Sequence, residues 1–234
     1  MSATDSSDLI NAHSLTKGYG LLPVLRGLTL SIPRGQSLAL MGANGSGKST
    51  LLRLLTGLSR PDSGTLTIGG WSMPQDSAQV RSHIGVVAHR PLVYEGLTAR
   101  ENLRFYGRLY GMKGESLDTA IVEGLSRVGL KRRADDVTRT YSRGMLQRLS
   151  IARALLHAPD ILLLDEPFTG LDPAAIALLS QLIAESRAAG RTVVMTTHDA
   201  NHALALSDRV IVIAKGGIAF DASTTDLSAS AIPV

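Results

Sequence analysis

The sequence contains no cysteine. Disulfides, thiolate metal sites and a Cys-x-x-Cys-His haem attachment within the chain are therefore excluded, and a reducing compartment is consistent with that absence. No apolar run approaches the roughly 20 residues that a membrane-spanning helix needs. The opening stretch MSATDSSDLI carries acids where a secretory signal carries bases, and no apolar block follows it. A soluble, cytoplasmic chain is expected. No internal repeat is present, and the five histidines other than His198 show no metal-ligand spacing. The formal net charge of +4 and pI of about 9.6 raise the question of nucleic acid. The basic residues are scattered, however, and the densest cluster, KRR at 131–133, reads as a solvated loop. A mild positive balance also suits work beside an anionic membrane surface.

What is present is enough for a core: 234 residues, 44% of them apolar, fit one globular domain. A flexible N-terminus (1–8), a single domain (9–222) and a C-terminal tail (223–234) are expected. From Leu9 to about Leu40, short apolar runs broken by turns read as antiparallel strands. SLALM (37–41), HIGVVA (83–88), ILLL (161–164), TVVMT (192–196) and RVIVI (209–213) read as strands, mostly continuous and apolar as buried parallel strands are. Helical spacing occupies 48–58, 98–110, 116–129, 142–157 and 174–188. In the fourth of these, Met145, Leu149, Ala152 and Leu156 fall on one face. Strands alternating with helices predict a largely parallel α/β sheet.

GANGSGKST (42–50) matches the phosphate loop G-x-x-x-x-G-K-[ST], after an apolar strand and at a helix start, where its mechanism requires it. Its glycines let backbone amides turn inward as an anion nest, and the helix N-terminus adds positive potential. Gly42, Asn44, Gly45, Ser46, Gly47, Lys48, Ser49 and Thr50 are the candidate nucleotide contacts. Lys48 can reach the β- and γ-phosphates, and Ser49 offers a hydroxyl to Mg²⁺. ILLLDEP (161–167) ends a buried strand in two acids: Asp165 is placed to hold Mg²⁺, Glu166 to orient or deprotonate a water. Adjacent acids raise each other's pKa, which Mg²⁺ and Lys48 would offset. TTHDA (196–200) follows another strand, and parallel strands place their C-terminal ends on one edge, so His198 is expected near the phosphates.

A last stretch, YSRGMLQRLS (141–150), opens a second helix about a hundred residues from the first. Together with GANGSGKST, ILLLDEP, TGLD (169–172) and His198, it resembles the ABC ATPase family over nearly the whole chain. The resemblance implies a P-loop NTPase (RecA-like) core with an antiparallel β subdomain and an inserted helical signature subdomain at about 90–150. It implies ATP and Mg²⁺ as ligands and a head-to-tail dimer in which each ATP lies between one copy's phosphate loop and the other's signature. Ser142 and Gly144 would then close the partner's site, Asp172 would lie at the seam, and Tyr19 would stack on adenine. The usual signature is Leu-Ser-Gly-Gly-Gln, so Tyr141, Arg143 and Met145 depart from it. His89 stands where the family has a glutamine that touches Mg²⁺ and the attacking water. An imidazole accepts a hydrogen bond only when neutral, so activity is expected to fall below about pH 6 and His89→Gln to flatten the fall.

Within the family, LLRLLTGLSRPDSG (51–64), LTARENLRFYGRLYG (97–111) and His89 before Pro91 are similar to the ATP-binding subunit of the haem exporter of cytochrome c maturation. The resemblance implies membrane-spanning haem-exporter subunits as partners, a second ATP-binding subunit and a place on the cytoplasmic face of the inner membrane. ATPases of lipid, polysaccharide and drug exporters are the alternative. An ABC-type ATPase acting on DNA or the ribosome is disfavoured because coiled-coil insertions, hooks and tandem cassettes do not fit the length, and no nucleic-acid partner is expected. A nucleotide sensor without hydrolysis is disfavoured by Glu166 and His198.

Overall fold

The computed structural model describes residues 8–233. The expected flexible N-terminus, apart from Asp8, lies outside them. Two strands, β1 (Asp8–Tyr19) and β2 (Leu22–Pro33), form one long antiparallel hairpin. The sequence pattern had suggested shorter runs. Register shifts within β1, one of them beside Ser14 with its left-handed φ of 50°, interrupt the alternation that would reveal a continuous strand. β3 (Ser37–Met41) then leads into α1 (Lys48–Leu55). β4 (Ser63–Ile68), β5 (Trp71–Met73) and the single turn α2 (Ser77–Arg81) follow, then β6 (Ile84–Val87). α3 (Ala99–Leu109), opened by a Thr98–Glu101 capping box, and α4 (Gly114–Arg127) lead to α5 (Arg143–Leu155). The chain closes with β7 (Ile161–Asp165), α6 (Pro173–Ala188), β8 (Thr192–Thr196), α7 (Ala200–Leu206), β9 (Arg209–Ala214) and β10 (Gly217–Ser223).

Two sheets result. One is antiparallel, in the order β2-β1-β4-β5; the other runs β10-β9-β3-β8-β7-β6, parallel except for β10. The parallel strands read as unbroken apolar runs because both faces are buried. In β7, Ile161 and Leu163 pack toward α1 and the antiparallel sheet, while Leu162 and Leu164 pack toward the helices. In β3, Leu38 and Leu40 join the first of these cores, and Ala39 and Met41 join a third with Val210, Val212 and Ala203. Ile232, in the stretch expected as a tail, is 6% exposed against that third core. The mixed α/β architecture, with α3, α4 and α5 packed together beside the parallel sheet, is the one the motifs imply. Among the described residues, no helix is long and apolar enough to cross a membrane.

Candidate functional site

Four neighbouring parallel strands, β3, β8, β7 and β6, end on one edge, and the chemistry sits in the loops that leave them. The loop after β3 is built so that only glycine fits at two points. A Cβ on Gly42 (φ 131°) would lie 2.2 Å from the Ile213 carbonyl oxygen, and one on Gly47 (φ 115°) would lie 2.7 Å from Leu25. Lys48, the first residue of α1, is buried and donates to the carbonyls of Gly42 (2.6 Å) and Ala43 (3.1 Å). A cleft of about 380 Å³ opens over this loop, lined by Asn44, Gly45, Gly47, Lys48, Ser49, Thr50 and, from other elements, Tyr19, Val24, His89, Asp165 and Glu166. Gly42 and Ser46 do not line the cleft, and the Ser46 hydroxyl has no hydrogen-bond partner among the described residues.

The acids are held by a network. Ser49 Oγ donates to Asp165 Oδ1 (3.2 Å), and Thr196 Oγ1 donates to the same oxygen (2.8 Å) while accepting from the Glu166 backbone N–H (2.8 Å). Glu166 is a non-glycine residue at φ 48°, a sparsely populated conformation sustained by that hydrogen bond. His198 Nδ1 lies 2.9 Å from Glu166 Oε2; the His198 side chain is 72% exposed and that of Glu166 20%. A carboxylate and hydroxyl oxygen in contact form the hard-oxygen pair that suits Mg²⁺. Among the described residues no group of three or more His, Asp or Glu is placed to hold a metal ion by itself, so a metal here would complete its shell with nucleotide and water. His89 is exposed and borders both this cleft and an adjoining one of about 310 Å³ that also reaches Ser49 and Asp165.

Tyr19 is 45% exposed on the cleft wall, with Lys17 Nζ 5.6 Å above its ring. Partial burial pushes its hydroxyl pKa up, but the neighbouring Thr50, Ser59 and Arg53 side chains outweigh this and lower it. Ser142 and Gly144 do not reach the cleft. Ser142 caps α5, its hydroxyl accepting from Met145 N–H at 3.3 Å, and Asp172 caps α6 by accepting from Ala175 N–H at 2.8 Å. Gln147 donates to the Pro167 carbonyl at 2.9 Å, tying the signature helix to the segment after Glu166. Thr196 and Gln147 were not read as site residues from the sequence. Thr196 lies beside His198 in a strand, where a buried threonine is ordinary, and only the neighbouring strand shows what it holds.

A sequence profile of the ABC transporter family matches residues 25–169. The chain is 35% identical over 219 residues to the linearmycin resistance ATP-binding protein of Bacillus subtilis, covering 94% of this chain and 70% of that one. It is 37% identical over 211 residues to the Nod factor export ATP-binding protein I of Ralstonia nicotianae, covering 90% and 66%. The chain thus spans about two thirds of the length of these curated relatives. Among solved structures it is similar to the ATP-binding subunit of an ABC transporter, with TM-score 0.86, 31% identity and coverage of 93% of this chain and 91% of that one. It is equally similar in TM-score, 0.86, to a dimeric ATP-binding cassette in a post-hydrolysis state bound to ADP and Pi, at 29% identity and coverage of 92% and 98%. With a phosphate loop, paired acids and signature helix in this arrangement, the chain belongs to the ABC transporter family, whose ATP-binding domains bind ATP with Mg²⁺.

Proposed function

We propose that this protein is the ATP-hydrolysing subunit of an exporter and acts as a homodimer enclosing two ATP molecules on the cytoplasmic face of the membrane. The observation that carries this reading is the division of the site. Lys48, Ser49, Asp165, Glu166 and His89 share one cleft, while Ser142 and Gly144 stand outside it. A second copy is needed to bring a signature helix over the phosphates.

In this reading the nest at 42–50 and Lys48 hold the β- and γ-phosphates, and Tyr19 stacks on the base. Ser49 and Asp165 would hold Mg²⁺, which when bound would neutralise developing charge on the phosphates. Glu166 accepts the proton of the attacking water, and His198, in contact with its carboxylate, positions that water against the γ-phosphate. His89, at the border of the cleft, would contact the attacking water and relay the state of the site to the membrane subunits. The closing dimer excludes solvent and drives those subunits.

The test is Glu166→Gln. Turnover should fall by at least about 100-fold, the low end for a general base, while the variant binds ATP and accumulates as a dimer on a sizing column. Unchanged turnover would remove Glu166 from this role.

The relatives' names, linearmycin resistance and Nod factor export, support the reading of a lipid, polysaccharide or drug exporter. Haem export is the second reading, favoured by His89 before Pro91 and by the segments 51–64 and 97–111. Gentle solubilisation and co-purification decide between them. Haem-handling partners with a Soret band that responds to ATP favour the second reading; a permease without pigment favours the first.

A further inference from the structure

Glu166 and His198 sit in two loops that a contact outside the cleft joins. The His198 side chain is 72% exposed, so packing does not locate its ring, and its Nδ1 meets Glu166 Oε2 at 2.9 Å. The ring therefore goes where the backbone after β8 carries it. Glu166, two residues before Phe168, leaves β7 at a left-handed φ of 48°. Four residues beyond His198, His202 stands in α7 with its ring stacked on Phe168, the centroids 4.2 Å apart and the planes inclined by 23°. Phe168 is buried in the core that also takes Leu206 of α7, and His202 is half-buried. His202 is bound back toward His198 through the residue between them. Asp199 Oδ1 accepts from the His202 N–H at 3.3 Å, Asp199 Oδ2 lies 3.5 Å from His202 Nδ1, and the Asp199 N–H donates to Thr197 Oγ1 at 3.1 Å. On the other loop, Gln147 holds the Pro167 carbonyl. Neither Phe168 nor His202 lines the ATP cleft.

We infer that His202 is a positioning residue for hydrolysis: stacked on Phe168, it clamps the loop after β8 to the loop after β7 and keeps His198 within hydrogen-bond reach of Glu166. This rests on the proposed roles of Glu166 and His198. The ladder between β7 and β8 ends at Asp165 and Thr196, and Thr196 Oγ1 holds only the Glu166 backbone beyond it. The stack adds a side-chain tie on the far side of both reacting groups. A hydrogen bond of 2.9 Å does not survive a shift of about 1 Å, and misplacement on that scale costs up to about 100-fold in rate. Two stacked rings attract each other beyond the area they bury, which opposes such a shift. His202 thus acts on the rate of hydrolysis and leaves ATP binding alone.

The experiment measures single-turnover hydrolysis of Mg²⁺-ATP and fluorescent-nucleotide affinity for the full chain, alone and with its co-purified membrane subunits. His202→Ala should slow hydrolysis by about tenfold, the upper range for an aromatic pair, at unchanged affinity. His202→Phe, which restores a ring against Phe168, should recover most of the rate. If His202→Ala lowers the melting temperature, His202→Leu, which fills the space without a ring, takes its place. In a His198→Ala background, His202→Ala should cost nothing more, because the group it positions is gone. A parental rate in His202→Ala, a His202→Phe chain as slow as His202→Ala, affinity that weakens in step with the rate, or losses that add to those of His198→Ala would overturn the inference and leave Glu166 and His198 in their roles. A His198→Ala chain as fast as the parent would overturn both.

Discussion

The phosphate-loop side and the signature side of the site are built by opposite means. On the phosphate-loop side, Ser49, Asp165, Thr196, Glu166 and His198 are joined by hydrogen bonds across the loops that leave β3, β7 and β8, and Lys48 donates to the Gly42 and Ala43 carbonyls. On the signature side, Ser142 and Arg143 are exposed, Gly144 is half-buried, and the ties are a helix cap, a guanidinium on a glycine and Gln147 to Pro167. The first side is organised within one chain. The second presents donors outward, and in the proposed dimer its ligand would be the ATP held by another chain. The division teaches that the same residue type can be required for different reasons on the two sides.

Glycine exposes this most sharply. Gly42→Ala would drive a Cβ to 2.2 Å from the Ile213 carbonyl at a backbone angle that suits glycine alone. ATP binding by the monomer should fall by more than about 100-fold, the equivalent of roughly 3 kcal/mol, in a fluorescent-nucleotide titration. Gly144→Ala meets nothing closer than 3.9 Å at an ordinary helical angle. It should leave monomer binding intact and raise the melting temperature slightly, since alanine favours a helix by up to about 1 kcal/mol, while weakening ATP-driven dimerisation. Equal effects of the two substitutions on monomer binding would break the comparison.

A smaller effect tests the network. Thr196→Val preserves the buried shape but removes the hydroxyl that holds both Asp165 and the Glu166 backbone. Turnover should drop roughly tenfold, matching loss of about 1–2 kcal/mol of hydrogen bonding, with Thr196→Ser restoring most of it. The signature side should be unaffected, so ATP-driven dimerisation of the Glu166→Gln parent should persist in the Thr196→Val background.

The smallest effect concerns the scaffold that carries both sides. His157, stacked on Tyr110 at 3.6 Å with both ring nitrogens unpartnered among the described residues, has its pKa lowered to about 4, chiefly by burial and further by the charges of Arg153 and His83. Between the ordinary histidine value near 6.5 and about 4, the unfolded chain binds the proton that the folded chain refuses. Stability should therefore fall as pH drops through that window and level off below it. Thermal melts of His157→Phe should show a shallower decline over the same range.

Much of this was legible beforehand. β3, β7, β8 and β9 announce themselves because burial on both faces demands unbroken apolar runs. The phosphate loop announces itself because its glycines and lysine follow from anion chemistry. The β1–β2 hairpin was less legible, since its register shifts break the alternation. β10 was missed because an edge strand with a half-exposed pattern, GIAFDAS, carries little apolar signal. α7 is only seven residues long, and it was hidden after the Asp199 cap.

By itself, the sequence determined which groups are available for the chemistry and that a parallel sheet would align several strand ends, because local spacing and burial of apolar faces dictate both. Only the tertiary structure decided that Thr196 would join Asp165 to Glu166, that a Cβ on Gly42 would meet the Ile213 carbonyl, and that Arg143 rests on Gly170. Those contacts link residues far apart along the chain, set by strand order and helix packing. Distance along the chain carries no information about them; the sheet and the packed helices supply it.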